Sequence, residues 1–163
     1  MIMIVGYSSN QPQPMHATSL MFLIFAFLSA FNAGAMTTLQ LQHYALYPHV
    51  GRANFIEYIR ANNRAALVPV ILPALLLLVV SLVLVWMRPP FMRAGEAEAA
   101  LALNLVQLAS TAAWQRRIQS EMAITGYDEA RTRLLIATNW IRTLAFLLQA
   151  LLAIVIVARG LSG

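Results

Sequence analysis

Long apolar stretches and short polar ones alternate along the chain. Four apolar segments predict helices over about residues 18–43, 65–87, 96–125 and 128–159. A helix needs about 20 mostly apolar residues to cross the hydrocarbon core of a bilayer, and each segment contains about that number. The pattern therefore predicts an all-α fold, an integral membrane four-helix bundle of four transmembrane helices, in which residues 1–163 form a single domain.

The connection between the first two predicted helices has a pattern of its own. Pro48 and Gly51 interrupt the helical pattern. After them, residues 52–60 place Phe55 and Ile59 on one side at helical spacing, with an arginine at each end. This pattern predicts a short interfacial helix that lies in the membrane surface and extends its arginine side chains toward water.

Composition supports a membrane protein. The chain is 60% hydrophobic and only 10% charged, whereas soluble domains are about 25% charged. The net charge of +5 comes from arginine, and the chain has no cysteine for a disulfide or thiol chemistry. Because the arginines flank apolar segments and form no cluster with aromatic residues, we expect them to contact lipid headgroups, not nucleic acid.

The distribution of the arginines predicts how the chain is oriented. Seven lie in the connections between helices one and two and between helices three and four, whereas Arg88, Arg93 and Arg159 lie on the opposite side. Cytoplasmic connections usually carry the excess of basic residues. We therefore expect these two connections in the cytoplasm, and both termini, including an extended tail over residues 1–16, on the non-cytoplasmic side of the membrane.

Polar side chains within the apolar segments fall on one face of each of three helices. In a bilayer such residues face the interior of the bundle. Spacings of three and four residues define three stripes, one each on helices one, three and four: Ser29, Asn32, Met36, Gln40 and His43; Asn104, Gln107, Thr111 and Trp114; Asn139, Arg142, Thr143, Phe146 and Gln149. Helix two contributes only Ser81, so we expect it to pack mainly on the outside.

Arg142 is the residue that helix–helix hydrogen bonding explains least well. Its guanidinium has five N–H donors and keeps its proton, and a charge inside a membrane helix by default marks a functional site. The apolar run around it, residues 134–158, contains no Asp or Glu. We expect its partner to be a set of carbonyls and amides, a loop acid such as Glu57 or Glu121, or a bound ligand with carbonyl or anionic oxygens.

Other polar residues converge at the level of Arg142. Gln40 and His43 end helix one on the side where Trp114 and Gln115 end helix three, which predicts a pocket at this mouth of the bundle. His43 is either an interfacial residue or a general base. With His49 it also offers two imidazoles, but their spacing matches no compact metal motif, so we predict no metal site. The cofactor stays open, with haem, a quinone and none as alternatives.

Two short motifs carry a resemblance to a known family. Gly34 followed by Gln40-Leu41-Gln42-His43 ends helix one, and Leu134 followed by Asn139-Trp140-Ile141-Arg142-Thr143 opens helix four. They resemble small bacterial four-helix membrane proteins of the anthrone-oxygenase-like group. Most of that group has no assigned function, and a few members are linked to cofactor-independent oxygenation of polycyclic phenols.

The resemblance implies a bacterial inner membrane and a pocket for a flat aromatic or quinone-like molecule. His43 would be the base for the phenol, and Arg142 and Asn139 would stabilise the developing oxyanion. The substrate pocket would be lined by Gln40, Gln107, Trp114 and Trp140.

Two functions remain in competition. The first is binding or oxygenation of a hydrophobic aromatic molecule, which predicts an enclosed pocket with His43 and Arg142 facing it. The second is a non-catalytic accessory subunit of a larger membrane complex that contacts protein, pigment or lipid. It predicts that the polar stripes are filled by their own side chains. A transporter or channel is disfavoured, because the sequence shows no internal repeat and four helices are few for a pore.

Overall fold

Five helices make up residues 17–161, the part of the chain that the computed structural model describes. They are α1 (Ala17–His49), α2 (Phe55–Ala65), α3 (Leu67–Trp86), α4 (residues 94–125) and α5 (Glu129–Leu161). No β-strand occurs among these residues, so the predicted all-helical class is confirmed. The predicted tail over residues 1–16 and both chain termini lie outside the described residues. The predicted non-cytoplasmic position of both termini therefore falls on residues that the structure does not describe.

The four long helices begin and end close to the predicted positions, with one exception. Predicted helices one to four correspond to α1, α3, α4 and α5. Helix α1 continues past residue 43 because the chain tightens into a 3₁₀ helix over Tyr44–His49, in which Tyr44 and Tyr47 are buried. A short helix is present between α1 and α3, as expected, and begins at Phe55.

The four long helices pack in a ring. Helix α1 contacts α3 and α5, and α4 contacts the same two helices, whereas the described residues show no close backbone contact across either diagonal. The short helix α2 packs outside the ring, against the end of α4 (Arg116–Thr125). The core inside the ring is formed mainly by large apolar side chains: Phe22, Phe25, Met36, Leu77, Leu84, Phe146 and Ile156.

The expected peripheral position of α3 is wrong. Leu77 and Leu84 are fully buried in the ring, and Ser81 between them accepts hydrogen bonds from α4 and α5. One small hydroxyl serves two amide side chains, so a single polar residue is enough to mark the inward face. The rest of α3 is apolar all round and gives no periodic signal.

A second apolar cluster closes the end of the bundle at which α1 stops. It joins the end of α1 to α2, α4 and α5, and each of its buried members lies beyond the level of Arg142 in its helix or on the covering helix α2. These members are Tyr44, Tyr47, Phe55, Ile59, Ile118, Met122 and Leu135. This cluster holds α2 over the mouth of the bundle, so α2 covers the mouth.

Three helices, α1, α3 and α5, are long and apolar enough to cross a membrane, which supports an integral membrane protein. Their outward faces carry large apolar side chains such as Phe27, Val79 and Ile154. Helix α4 does not meet the same standard of length and composition among the described residues. Its apolar part lies between two acidic residues near residue 97 and two arginines at residues 116–117.

An ion pair links α4 to α5 at the end of the bundle opposite the mouth. Arg159 donates to both carboxylate oxygens of Glu96, with Nη2 2.7 Å from Oε2, and the backbone N–H of Arg93 donates to the same oxygen at 2.8 Å. These hydrogen bonds hold the pKa of the Glu96 carboxyl below its usual value of 4.5. The folded state therefore binds the proton of Glu96 less readily than the unfolded state.

We expect this pair to make stability depend on acid pH. Its contribution is complete above the unfolded pKa of 4.5 and is lost as the pH falls through the lower folded pKa. Thermal unfolding in detergent, followed between about pH 6 and pH 3, should show wild type losing its advantage over Glu96→Gln as the pH falls. A constant difference between the two proteins across this range would contradict the assignment.

Candidate functional site

Arg142 lies inside the ring with few partners for its charge. Arg142 is buried, with only 8% of its surface exposed. Nη2 donates to the Sδ atom of Met36 at 3.4 Å, and Nε is buried without a hydrogen-bond partner in the described structure. A thioether is a weak acceptor, and leaving a buried donor unsatisfied costs about 1–3 kcal/mol, with more for charged groups. The guanidinium is therefore incompletely satisfied by the protein.

Neither loop acid considered as a partner for Arg142 fills that role. Glu121 pairs with Arg117 at 3.1 Å and with Arg131 at 3.4 Å. Glu57 is exposed on α2. The ion pairs found within residues 17–161 do not include Arg142. A structural ion pair thus does not account for the buried charge, and a ligand oxygen stays as the alternative.

Two cavities meet at the Arg142 side chain. The larger, about 330 Å³, lies under α2 at the mouth of the ring and is lined by residues that include His43, Tyr44, Gln119 and Arg116. Its volume falls in the range of small-molecule pockets, about 300–1,000 Å³. The smaller, about 110 Å³, lies between α3 and α4. Both cavities are lined by Arg142 and by three further residues: Val70, Ile71 and Thr111.

Three of the four long helices are locally widened at the level of the larger cavity. A π-helical turn occurs in α1 (Leu39–His43), in α3 (Leu67–Ile71) and in α4 (Thr111–Gln115). Each turn supplies two residues to the wall of the cavity. Such turns are rare and are frequent at functional sites, so their coincidence at one level supports a binding site.

Proline explains the π turn in α3. Pro69 and Pro73 lack a backbone N–H, so the regular i to i−4 ladder is broken at these positions. The carbonyl of Ala66 accepts from both Val70 and Ile71, at 3.1 Å each. The sequence signals this turn through its prolines. We have no sequence explanation for the π turns in α1 and α4. Thr111 was expected to face the interior of the bundle, whereas Tyr44, which also lines the larger cavity, was not predicted there.

Asn139 and Gln40 are together, but they hold helices and do not line either cavity. Asn139 Nδ2 donates to Gln40 Oε1 at 2.8 Å and to Thr143 Oγ1 at 3.3 Å. Gln40 Nε2 donates to the carbonyl of Ile136 at 3.1 Å. These bonds tie α1 to α5 directly beneath the mouth. The proposed oxyanion contact of Asn139 would require this link to open.

A second amide network connects three helices at the smaller cavity. Gln107 Nε2 donates to Gln149 Oε1 at 3.1 Å, and Gln149 Nε2 donates to Ser81 Oγ at 3.4 Å. Asn104 Nδ2 also donates to Ser81 Oγ, at 2.8 Å. Gln107 and Asn104 line the smaller cavity as well. The structure therefore places Gln107 at the smaller cavity and not at the larger one with His43, with its amide nitrogen already committed to α5.

Trp114 and Trp140, predicted to line the pocket, line neither cavity. They are 41% and 40% exposed on the outside of the ring. The π turn in α4 explains Trp114, because more residues per turn make Gln115, and not Trp114, follow Thr111 on the inner face. Trp140 follows the buried Asn139 and so points away from the interior.

His43 lies at the larger cavity together with Arg142. It is half-buried, and its Nε2 atom has no hydrogen-bond partner in the described structure. The ring packs near Tyr44 and Tyr47, with centroid distances of 5.5 and 5.3 Å. His49 is exposed and is not part of this wall. Within residues 17–161, no group of three or more metal-ligating side chains forms a metal site.

The larger cavity thus combines a buried cation, an unpartnered imidazole nitrogen and a phenol, with apolar residues between them. Gln119 donates to the Tyr44 hydroxyl at 3.5 Å. These groups suit a mainly apolar molecule with at least one oxygen that accepts from Arg142. Comparison of the chain with protein-family models, with curated proteins and with solved structures gives no match, so the site itself carries the functional inference.

Proposed function

We propose that the protein binds a hydrophobic molecule with a carbonyl or ionised oxygen, of the quinone or phenol class, in the cavity at Arg142. The observation that carries this proposal is the buried guanidinium, whose Nε has no partner and whose Nη2 reaches only a thioether. A ligand oxygen would replace that poor contact with a charge-assisted hydrogen bond, worth about 1.5–3 kcal/mol. The cavity volume of about 330 Å³ leaves room for a flat ring system.

The proposal places the ring of helices in a bacterial inner membrane as a four-helix transmembrane bundle. The apolar part of α4 would cross the membrane. Because α3 and α5 cover α4 on two sides, this part needs a lower hydropathy than a helix that lipid surrounds. Helix α2 would lie at the interface over the mouth, with the exposed Arg52 just before it directed to the headgroups. Arg60 on α2 donates through Nε to the carbonyl of Ala123 in α4 at 3.0 Å and so helps to hold α2 in place. The excess of arginines at this end favours the cytoplasmic side for the mouth.

A catalytic role rests on the pairing of His43 with Arg142 at one cavity. For a phenolic ligand, His43 would take the proton from the hydroxyl, and Arg142 would hold the resulting oxyanion. The reaction implied by the resemblance is oxygenation, in which an anthrone and one molecule of O₂ give the quinone and water. Binding is the part of this proposal that the geometry supports directly, and oxygenation depends on it.

The alternative, an accessory subunit without a ligand, also has an observation in its favour. The amides of Gln40 and Asn139, and those of Gln107 and Gln149, satisfy one another across helices. Self-filled stripes are what this alternative predicts. It leaves Arg142 and the cavity around it without a role, which is why we prefer the binding function.

Binding is tested with the full chain purified in mild detergent. Extraction and mass spectrometry should recover an aromatic or quinone-like molecule, and titration with hydroxynaphthoquinone should shift the absorption band of this acidic probe on binding. Tight stoichiometric partners that co-purify, with no extracted ligand and no response to the probe, would overturn the proposal and favour the accessory subunit.

A further inference from the structure

The π turns of the neighbouring helices α3 and α4 lie on the two sides of a gap between these helices. Beyond residue 71, α3 packs closely on α4, but Leu67–Ile71 brings no Cα atom within 8 Å of any Cα atom of α4. The smaller cavity occupies this gap. The gap therefore lies between two helices that are otherwise neighbours, at the level of the Arg142 side chain.

The residues at the outer edge of this gap are apolar and face the outside of the ring. Ile71 and Leu75 on α3 and Leu108 on α4 line the smaller cavity and are at the same time exposed on the outer surface. In a bilayer these side chains meet lipid chains. By contrast, the larger cavity is lined near α2 by polar residues: Asn62, Asn63, Arg116, Gln119 and Ser120. The two adjacent cavities, which share Arg142 as a lining residue, thus have one polar side and one apolar side.

From the adjacency of the two cavities we infer that the ligand is a membrane-dissolved amphiphile with a long hydrocarbon chain, an acyl or isoprenoid tail on the oxygen-bearing head. The inference rests on the proposed function and specifies its substrate class. The head lies in the larger cavity with its oxygen on Arg142, and the chain leaves between α3 and α4 into the lipid. Arg142 lines both cavities, so it marks the junction of head and chain.

This route is favourable because the hydrocarbon tail of the ligand gains little free energy when the protein encloses it. Lipid chains are as apolar as leucine side chains, so burial in the protein offers no hydrophobic gain over the bilayer. A tail that stays in lipid also avoids the polar side of the larger cavity, where it would desolvate amides and the Arg116 charge. The gap between α3 and α4 allows the head to bind without either cost.

The test uses two probes with the same head, hydroxynaphthoquinone and its dodecyl derivative, and the full chain in nanodiscs of phosphatidylethanolamine and phosphatidylglycerol. Ala74 lines the gap, and Ala74→Phe would fill it. We expect this variant to bind the dodecyl probe at least about tenfold more weakly (about 1.4 kcal/mol) and the short probe with unchanged affinity. Val79→Phe, on the lipid-facing surface of the same helix, should change neither affinity.

Binding of the short probe, hydroxynaphthoquinone, also reports folding, since a variant that binds it normally has an intact larger cavity. Leu108→Trp narrows the gap from α4 and should repeat the result if Ala74→Phe does not fold. Equal weakening of both probes, or undiminished binding of the dodecyl probe in both variants, would overturn the inference while leaving the proposed function standing. Failure of wild type to bind either probe would overturn the proposed function itself.

Discussion

Replacing Arg142 with methionine is expected to abolish most ligand binding and, at the same time, to stabilise the protein. Methionine keeps much of the length of the side chain but removes the charge and the unsatisfied Nε donor. Relief of this buried donor should raise the free energy of unfolding by about 1–3 kcal/mol. Loss of a charge-assisted hydrogen bond to the ligand should weaken binding about 10- to 100-fold.

The opposite signs of the two effects separate a binding residue from a structural one. A structural arginine, held by its contacts, would lower stability when removed. Arg117→Met is the matched control, since Arg117 is exposed and lies outside both cavities. Arg117→Met should change neither the free energy of unfolding nor the affinity for the probe appreciably. Thermal unfolding and probe titration of both variants in the same detergent measure the two effects, and normal binding by Arg142→Met would rule out the proposed role.

Truncating Leu77 is expected to have the largest effect on stability among changes in α3. Leu77 is fully buried in the ring, so Leu77→Ala should leave a cavity and cost about 2–5 kcal/mol. Leu82, five residues along the same helix, is half-exposed to the surroundings of the ring. Leu82→Ala should cost no more than about 0.5 kcal/mol.

This pair of variants tests whether α3 is a member of the bundle or lies against it. Both changes remove the same atoms from the same residue type in one helix, so helix propensity cancels between them. Unfolding in detergent by heat, or by a graded increase of a denaturing detergent, supplies the comparison. Similar destabilisation by the two changes would mean that α3 packs in another orientation or packs loosely.

The case of α3 also shows where sequence patterns stop being informative. Hydropathy located the long helices well, because the contrast between apolar segments and charged connections is large. It does not distinguish Leu77 from Leu82, since a leucine that faces lipid and a leucine that faces protein have the same hydropathy. The inward face of an apolar helix depends on which neighbours it meets, and in α3 only Ser81 marks that face.

Polar spacing was informative where the helix is regular and misleading where it is not. Asn139, Arg142 and Gln149 are buried, as their stripe on α5 predicts. On α4, the π turn displaced Trp114 outward and brought Gln115 inward. The partner of Arg142 was also beyond prediction, because Met36 belongs to the stripe of another helix and its contact depends on side-chain packing.

The most direct measurement of the central claim follows the Arg142 side chain itself during binding. The ¹⁵N–¹H spectrum of the arginine Nε groups, recorded in detergent micelles, can be assigned at Arg142 by the signal that Arg142→Met removes. Because this Nε has no partner in the protein, addition of hydroxynaphthoquinone should move its signal far more than those of Arg117 and Arg133. A saturable response to the probe that leaves the Arg142 signal unmoved, or no response at all, would contradict the account.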